Sequence, residues 1–263
     1  MNGIIELGLP QMLLAYVFAV VVIILLKYRK IPQEKLVFFA TIRMSFQLII
    51  AGYLLQWVIS NPHPLMTLLI IAIMQVFSVI TVIRKFKKPP LSKSLQRVIT
   101  IVFPLGSLSV LFYFLFVVVR ISPWFNPQYF IPLAGMIVGN SMTGISLAVK
   151  SMHEKLTIEK ARVEEALILG ATLKQATESI INRTFDQAIV PTLNNMLGMG
   201  IIFLPGMMTG QILSGTNPTT AIFYQMAIML GILGGVAITV YLILVFGIKT
   251  YFNRQLQFQE LDS

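Results

Sequence analysis

Few residues in this 263-residue sequence can do chemistry, and most of them lie inside apolar runs. Arg43 is followed one helical turn later by Gln47, so a helix sets a cation and an amide on one face. Asn140, Ser141 and Thr143 stand among Gly139, Gly144 and Ser146, a close run of small hydrogen-bonding groups. Asn194 and Asn195 precede LPGMMTGQ, which carries Met207, Met208, Thr209 and Gln211. Pro205 removes a backbone donor there, and the freed carbonyls together with Thr209 and Gln211 are suited to line a polar cavity. Outside the apolar runs, Glu164 and Glu165 form an adjacent acidic pair.

What is scarce excludes as much. The chain has no Cys, hence no disulfide and no thiolate metal site. His63 and His153 cannot make an H-E-x-x-H zinc site, and Asp186 and Asp262 do not supply the paired aspartates that hold Mg²⁺ in membrane transferases. No G-x-x-x-x-G-K-[ST] occurs, so no ATP site of this kind is expected. The chain is read as a non-enzyme that binds no cofactor itself. Its 14 Met residues suggest a thioether site for a soft ion, with Met207 and Met208 as candidates, or plain packing. No metal site is established by the residues.

These groups must be positioned by membrane helices. Hydrophobic residues make up 56% of the chain and charged ones 11%, with a mean hydropathy of +0.82, which no water-soluble fold accommodates. Seven runs are long enough to span: 9–26, 36–59, 65–83, 98–119, 130–149, 191–213 and 221–248. The expected fold is all-α, a single polytopic domain over 1–263 with about seven transmembrane helices. No Lys or Arg precedes Lys27, so the first run is expected to be a retained span. All of the 20 basic residues except Arg43 and Arg120 fall in alternate connections or after the last run. The positive-inside rule then puts the N-terminus outside and the C-terminus in the cytoplasm. The net charge of +10 is explained by this topology and by contact with anionic membrane lipids; no nucleic-acid motif accompanies it.

Arg43 falls roughly 10 Å into its span. Either it lines a path, where it repels a bare cation unless paired or unless the metal travels complexed, or it snorkels to the interface. The polar residues of the fifth run serve either helix packing or a substrate path.

The long segment 150–190 carries Glu154, Glu159, Glu164, Glu165, Glu178 and Asp186 of the 10 acids. Its pattern predicts two helices meeting at Gly170. The first covers 158–169 with Thr157 as N-cap. The second begins at a capping box, Thr172 with Gln175, and ends at Pro191. Leu173, Ala176, Thr177, Ile180, Ile181, Thr184 and Ala188 share the apolar face of the second helix. A lipid-surface helix would favour basic residues; the mixed face with Glu164 and Glu165 favours protein docking through charge and the apolar knob 167–169.

The string EEALILGAT (Glu164, Glu165, Ala166, Leu167, Gly170, Ala171 and Thr172 among its residues) resembles the EAA loop of ABC-transporter permeases. The resemblance implies that these residues dock an ATPase. Ile189-Val190-Pro191 lies roughly two turns farther from the glycine than in the importer loop, so importer geometry is not expected. AIVPTLNNMLGMGIIFLPGMMTGQILSGTNPTTAIFYQMAIM, with RMSFQLIIAGYLL and GMIVGNSMTGISLA, resembles the FetB-type permease family over essentially the whole chain. That family is described as the membrane subunit of an iron-linked ABC exporter, with plant relatives linked to aluminium tolerance. The resemblance implies an inner-membrane or plasma-membrane permease for iron or another metal. Its partner is a separate ABC ATPase holding ATP and Mg²⁺. Because no internal repeat is evident, a homodimer with two ATPases is expected. A secondary transporter or channel is the alternative; the lack of an intramembrane carboxylate to carry protons speaks against it.

Overall fold

The structure is a computed structural model that describes residues 8–86, 91–253 and 255–258. Lys87, Lys88 and Arg254 of the basic connections lie outside the described residues. The chain divides into two units, 1–62 and 63–263.

The first unit is a helix pair, α1 (Leu9–Tyr28) and α2 (Glu34–Ser60). Their apolar residues run right around both helices, as expected of helices that meet lipid on most sides. The Tyr16 and Ser45 hydroxyls bond across the pair.

The second unit holds α3 (Pro64–Lys85), α4 (Lys93–Tyr113, running on into a π-helical stretch, Phe114–Val119), α5 (Pro127–Ile158), α6 (Lys160–Ile168), α7 (Leu173–Gly198), α8 (Gly206–Leu213) and α9 (Pro218–Gly247, then a 3₁₀ turn, Ile248–Tyr251). Asn126, Asn217 and Ser92 cap α5, α9 and α4 with their side chains, and Pro at the first helical position starts α3, α5 and α9. The core is α9 laid against α4 and α5. Glycines allow the close approach: a Cβ on Gly106 of α4 would stand 2.5 Å from Thr239 Cγ2, and one on Gly144 of α5 would stand 2.8 Å from Val236 Cγ1. Gly247 faces Leu95 and Met152, so α5 and α9 run parallel with α4 antiparallel to both. Lys93, Arg97, Lys150, Lys155 and Lys249 therefore gather at one end of this unit, and Arg120 lies at the other.

Among the described residues six helices are long and apolar enough to cross a membrane, and the chain is a nearly all-helical, multi-pass membrane protein. The run 191–213 is not one helix. α7 passes through Pro191, where only one backbone bond is forfeited, and stops at Gly198. The chain then folds back: Ile202 N–H donates to the Gly198 carbonyl (2.9 Å), Gly200 N–H donates to the Phe203 carbonyl (3.0 Å), and Gly200 takes φ +82°. The helix expected over 158–169 also differs. α5 continues to Ile158 because Met152 and Leu156 extend its buried stripe, and Thr157 bonds back to the His153 carbonyl (2.9 Å) instead of capping. Glu159 alone interrupts the helix before α6.

Candidate functional site

The turn at Gly170 is built entirely from local signals. Gly170 (φ +92°) follows α6 in the left-handed region. Its N–H donates to the Leu167 carbonyl (3.1 Å) and Ala171 N–H donates to the Ala166 carbonyl (3.0 Å), the paired bonds of a Schellman cap. Two residues later the capping box closes: Thr172 Oγ1 accepts from Gln175 N–H (3.4 Å), and Thr172 N–H donates to Gln175 Oε1 (2.9 Å). The end of α6 and the start of α7 thus leave few backbone groups free to fray.

Side chains lock this elbow to the bundle. The Glu159 carboxylate accepts from Arg162 (2.9 Å) and from Arg183 of α7 (2.5 Å). Gln187 Oε1 accepts from Ser151 Oγ (2.6 Å) and Lys155 Nζ (2.9 Å) of α5. Val163 is buried and Leu167 packs against the core, whereas Ile168 (84% exposed) and Leu169 (80%) project outward. Glu165 is exposed and Glu164 and Ala166 are half-buried. The apolar tip and an acid therefore share one exposed corner. On α7, Thr177, Ile180, Thr184, Ala188 and Thr192 form the buried stripe, in line with the spacing read from the sequence.

Within the second unit, the membrane-embedded polar residues are dispersed over α5, α7 and α8. Arg43 and Gln47 share a face of α2, in a groove of about 440 Å³ with Leu36, Phe39, Met44 and Leu48. On α5, Ser141 is fully buried beside Gly235 of α9, while Asn140 is half-buried and Thr143 exposed. Asn140 Nδ2 donates to the Met136 carbonyl (2.8 Å) and Thr143 Oγ1 to that of Gly139 (3.2 Å), each within its own helix. Asn194 is exposed on α7. In α8, Met208 is buried, Met207, Thr209 and Gln211 are half-buried, and Thr209 Oγ1 donates to the Pro205 carbonyl (3.0 Å). The Gln211 side-chain oxygen is buried and has no hydrogen-bond partner among the described residues.

Residues 199–205 leave several backbone groups without a backbone bond. Among the described residues, the Ile201 and Leu204 N–H groups and the Ile201, Ile202 and Leu204 carbonyls make no backbone bond, and Ile201 is 91% exposed. Gly198 lies at most about 16 Å past the level of Gln187 at 1.5 Å per residue. Gln187 meets Ser151, two residues beyond the apolar run of α5, so the break falls within a hydrocarbon layer of about 30 Å. Lipid cannot satisfy such groups; protein or a water-filled path must.

Two buried polar pairs escaped the sequence reading. Gln75 Nε2 of α3 donates to Ser107 Oγ of α4 (2.9 Å), and Thr239 bonds to the Gly235 carbonyl (2.5 Å). Single amides and hydroxyls within long apolar spans were the available signal. Among the described residues no three His, Asp or Glu converge on a point that could hold a metal.

The profile of the family described as Uncharacterised protein family UPF0014 matches residues 9–252. A UPF0014 membrane protein of Synechocystis is 35% identical, covering 82% of each chain. The Escherichia coli protein named Probable iron export permease protein FetB is 30% identical over 93% of this chain and 92% of its own. The Arabidopsis thaliana Protein ALUMINUM SENSITIVE 3 is 29% identical over 88% of this chain and 83% of its own. No solved structure matches. With nearly every described element inside the matched stretch, the chain belongs to the UPF0014 family of membrane proteins.

Proposed function

We propose that the chain is the membrane-spanning permease subunit of an ABC exporter, driven by a separate ATPase and acting in iron or other metal homeostasis. One observation carries the mechanism: α7 is a single helix from the capped elbow at Thr172 to the intramembrane break at Gly198. Force applied at Ile168, Leu169 and Glu165 is delivered along a rigid rod of 26 residues to a stretch of backbone with unpaired polar groups. The basic end of the bundle faces the cytoplasm in this reading, by the positive-inside rule. ATP and Mg²⁺ sit on the partner. Two chains and two ATPases form the working unit, with Asn194, Met207, Thr209, Gln211 and the free carbonyls near 199–205 facing the path. The metal assignment rests on the name of the Escherichia coli relative.

Arg43 and Gln47 belong to the path if metal crosses as an anionic or neutral complex, since a bare cation is repelled by a guanidinium. A secondary transporter or channel is the competing reading. The test is co-purification with a candidate ATPase, then ATP hydrolysis and metal flux in vesicles. Glu165→Lys and Gly170→Pro are expected to lose association and stimulated hydrolysis. Wild-type association in both variants, or flux without ATP, refutes the coupling.

A further inference from the structure

Where α7 leaves the elbow it diverges from the end of α9, and the two helices leave a groove of about 540 Å³. Its walls are of two kinds. Leu173, Ile181, Val245 and Ile248 are apolar, and Tyr241 presents an exposed ring. Lys174 and Lys249 stand at the rim, both exposed, and among the described residues neither takes part in an ion pair. Asn182 and Thr177 add hydrogen-bonding groups, and Glu178 is the one acid in the lining.

Depth distinguishes this groove from an ordinary surface cleft. Lys249 directly follows the apolar run 221–248, so it marks the boundary between hydrocarbon and headgroups. Tyr241 lies two turns back, roughly 12 Å into the hydrocarbon. A ligand filling the groove has its charged end at the lysines and its apolar end against Val245 and Tyr241. A soluble anion uses only the rim, and a neutral lipid leaves the two lysine charges uncompensated. Basic pockets between membrane helices at one leaflet suit anionic headgroups.

We propose that the α7–α9 groove is a binding site for an anionic phospholipid, whose phosphate lies between Lys174 and Lys249 and whose upper acyl chain lies along Val245 and Tyr241. Leu173 is the residue after Thr172, so an occupied groove ties the root of α7 to α9 and sets the resting angle of the elbow. The inference uses the membrane reading of the chain and not the ATPase, and its test contains no ATPase.

The delipidated full chain in detergent is titrated by native mass spectrometry with phosphatidylglycerol, with phosphatidylcholine of the same chains, and with glycerol 3-phosphate. Phosphatidylglycerol is expected to bind more than about tenfold tighter than either, and the double variant Lys174→Ala/Lys249→Ala to weaken it about thirtyfold. Val245→Trp keeps both lysines but fills the apolar wall, and is expected to lower retention as well. Lys150→Ala, a basic residue paired with Glu154 elsewhere at the same end, is expected to have no effect. Equal binding of the two lipids, an undiminished double variant, undiminished binding in Val245→Trp, or a Lys150→Ala loss as large as that of the double variant overturns the site. Glycerol 3-phosphate binding as tightly as phosphatidylglycerol overturns the lipid and leaves a soluble-phosphate site.

Discussion

Replacing Gly170 tests whether the elbow is a stiff joint. The residue has φ +92°, and a Cβ placed there meets no atom within 4 Å. The cost of a side chain is therefore conformational and not steric. For Ala in the left-handed region it is about 1–2 kcal/mol, and for Asn less, because Asn tolerates that region. The cost falls on the two bonds of the Schellman cap, Gly170 N–H to Leu167 and Ala171 N–H to Ala166. In Gly170→Ala the amide of residue 171 should exchange with deuterium about five- to thirtyfold faster, in proportion to the extra open population. Gly170→Asn should fall between wild type and Ala. Amides of α9 should not change, since the elbow opens locally. Wild-type exchange at residue 171 in Gly170→Ala, or identical rates for Ala and Asn, would show that the turn does not depend on the positive φ, and the rigid-joint argument would fail.

The glycines of α5 should separate cleanly in a detergent melt. Gly144→Ala forces a methyl to within 2.8 Å of Val236 and should destabilise by about 1–3 kcal/mol, whereas Gly139→Ala meets open space and should be neutral or slightly stabilising. Leu169→Asp should leave the melt unchanged, because the side chain is 80% exposed, yet weaken ATPase association by about thirtyfold or more in a pull-down titration if it is an interface anchor. Glu159→Gln removes the charge that Arg162 and Arg183 share; about 1 kcal/mol of local stability should be lost, read as faster exchange in α6 with α9 unchanged. Arg43→Gln should reduce ATP-dependent flux severalfold if the guanidinium lines the path; unchanged flux assigns it to the interface.

Features with short-range causes were legible from the sequence. Thr172 and Gln175 are three residues apart, so their mutual capping needs no tertiary partner, and Gly170 marks its own turn. The buried stripe of α7 followed from the spacing of Thr177, Ile180, Thr184 and Ala188. Pro191, a residue type that ordinarily ends a helix, lies inside α7. At an exposed position in a helix already anchored by Arg183 and Gln187, losing one hydrogen bond does not end it. The reading of 191–213 as one span failed for the complementary reason. Nothing in its hydropathy announces that Ile202 and Phe203 will turn back onto Gly198. Hydropathy sums over a window, while a backbone reversal depends on single dihedrals.

The sequence alone determined that the chain is helical and multi-pass and how the elbow turns, because these depend on composition and on partners within about one helical turn. Only the tertiary structure decided which polar groups are structural and which are open. Ser141 and Gly144 face α9, whereas Asn140 and Thr143, one residue away from them along the same helix, do not. A rotation of about 100° per residue separates these neighbours. The direction in which each one points is set by how α5 settles against α9, a contact made by residues far apart in the chain.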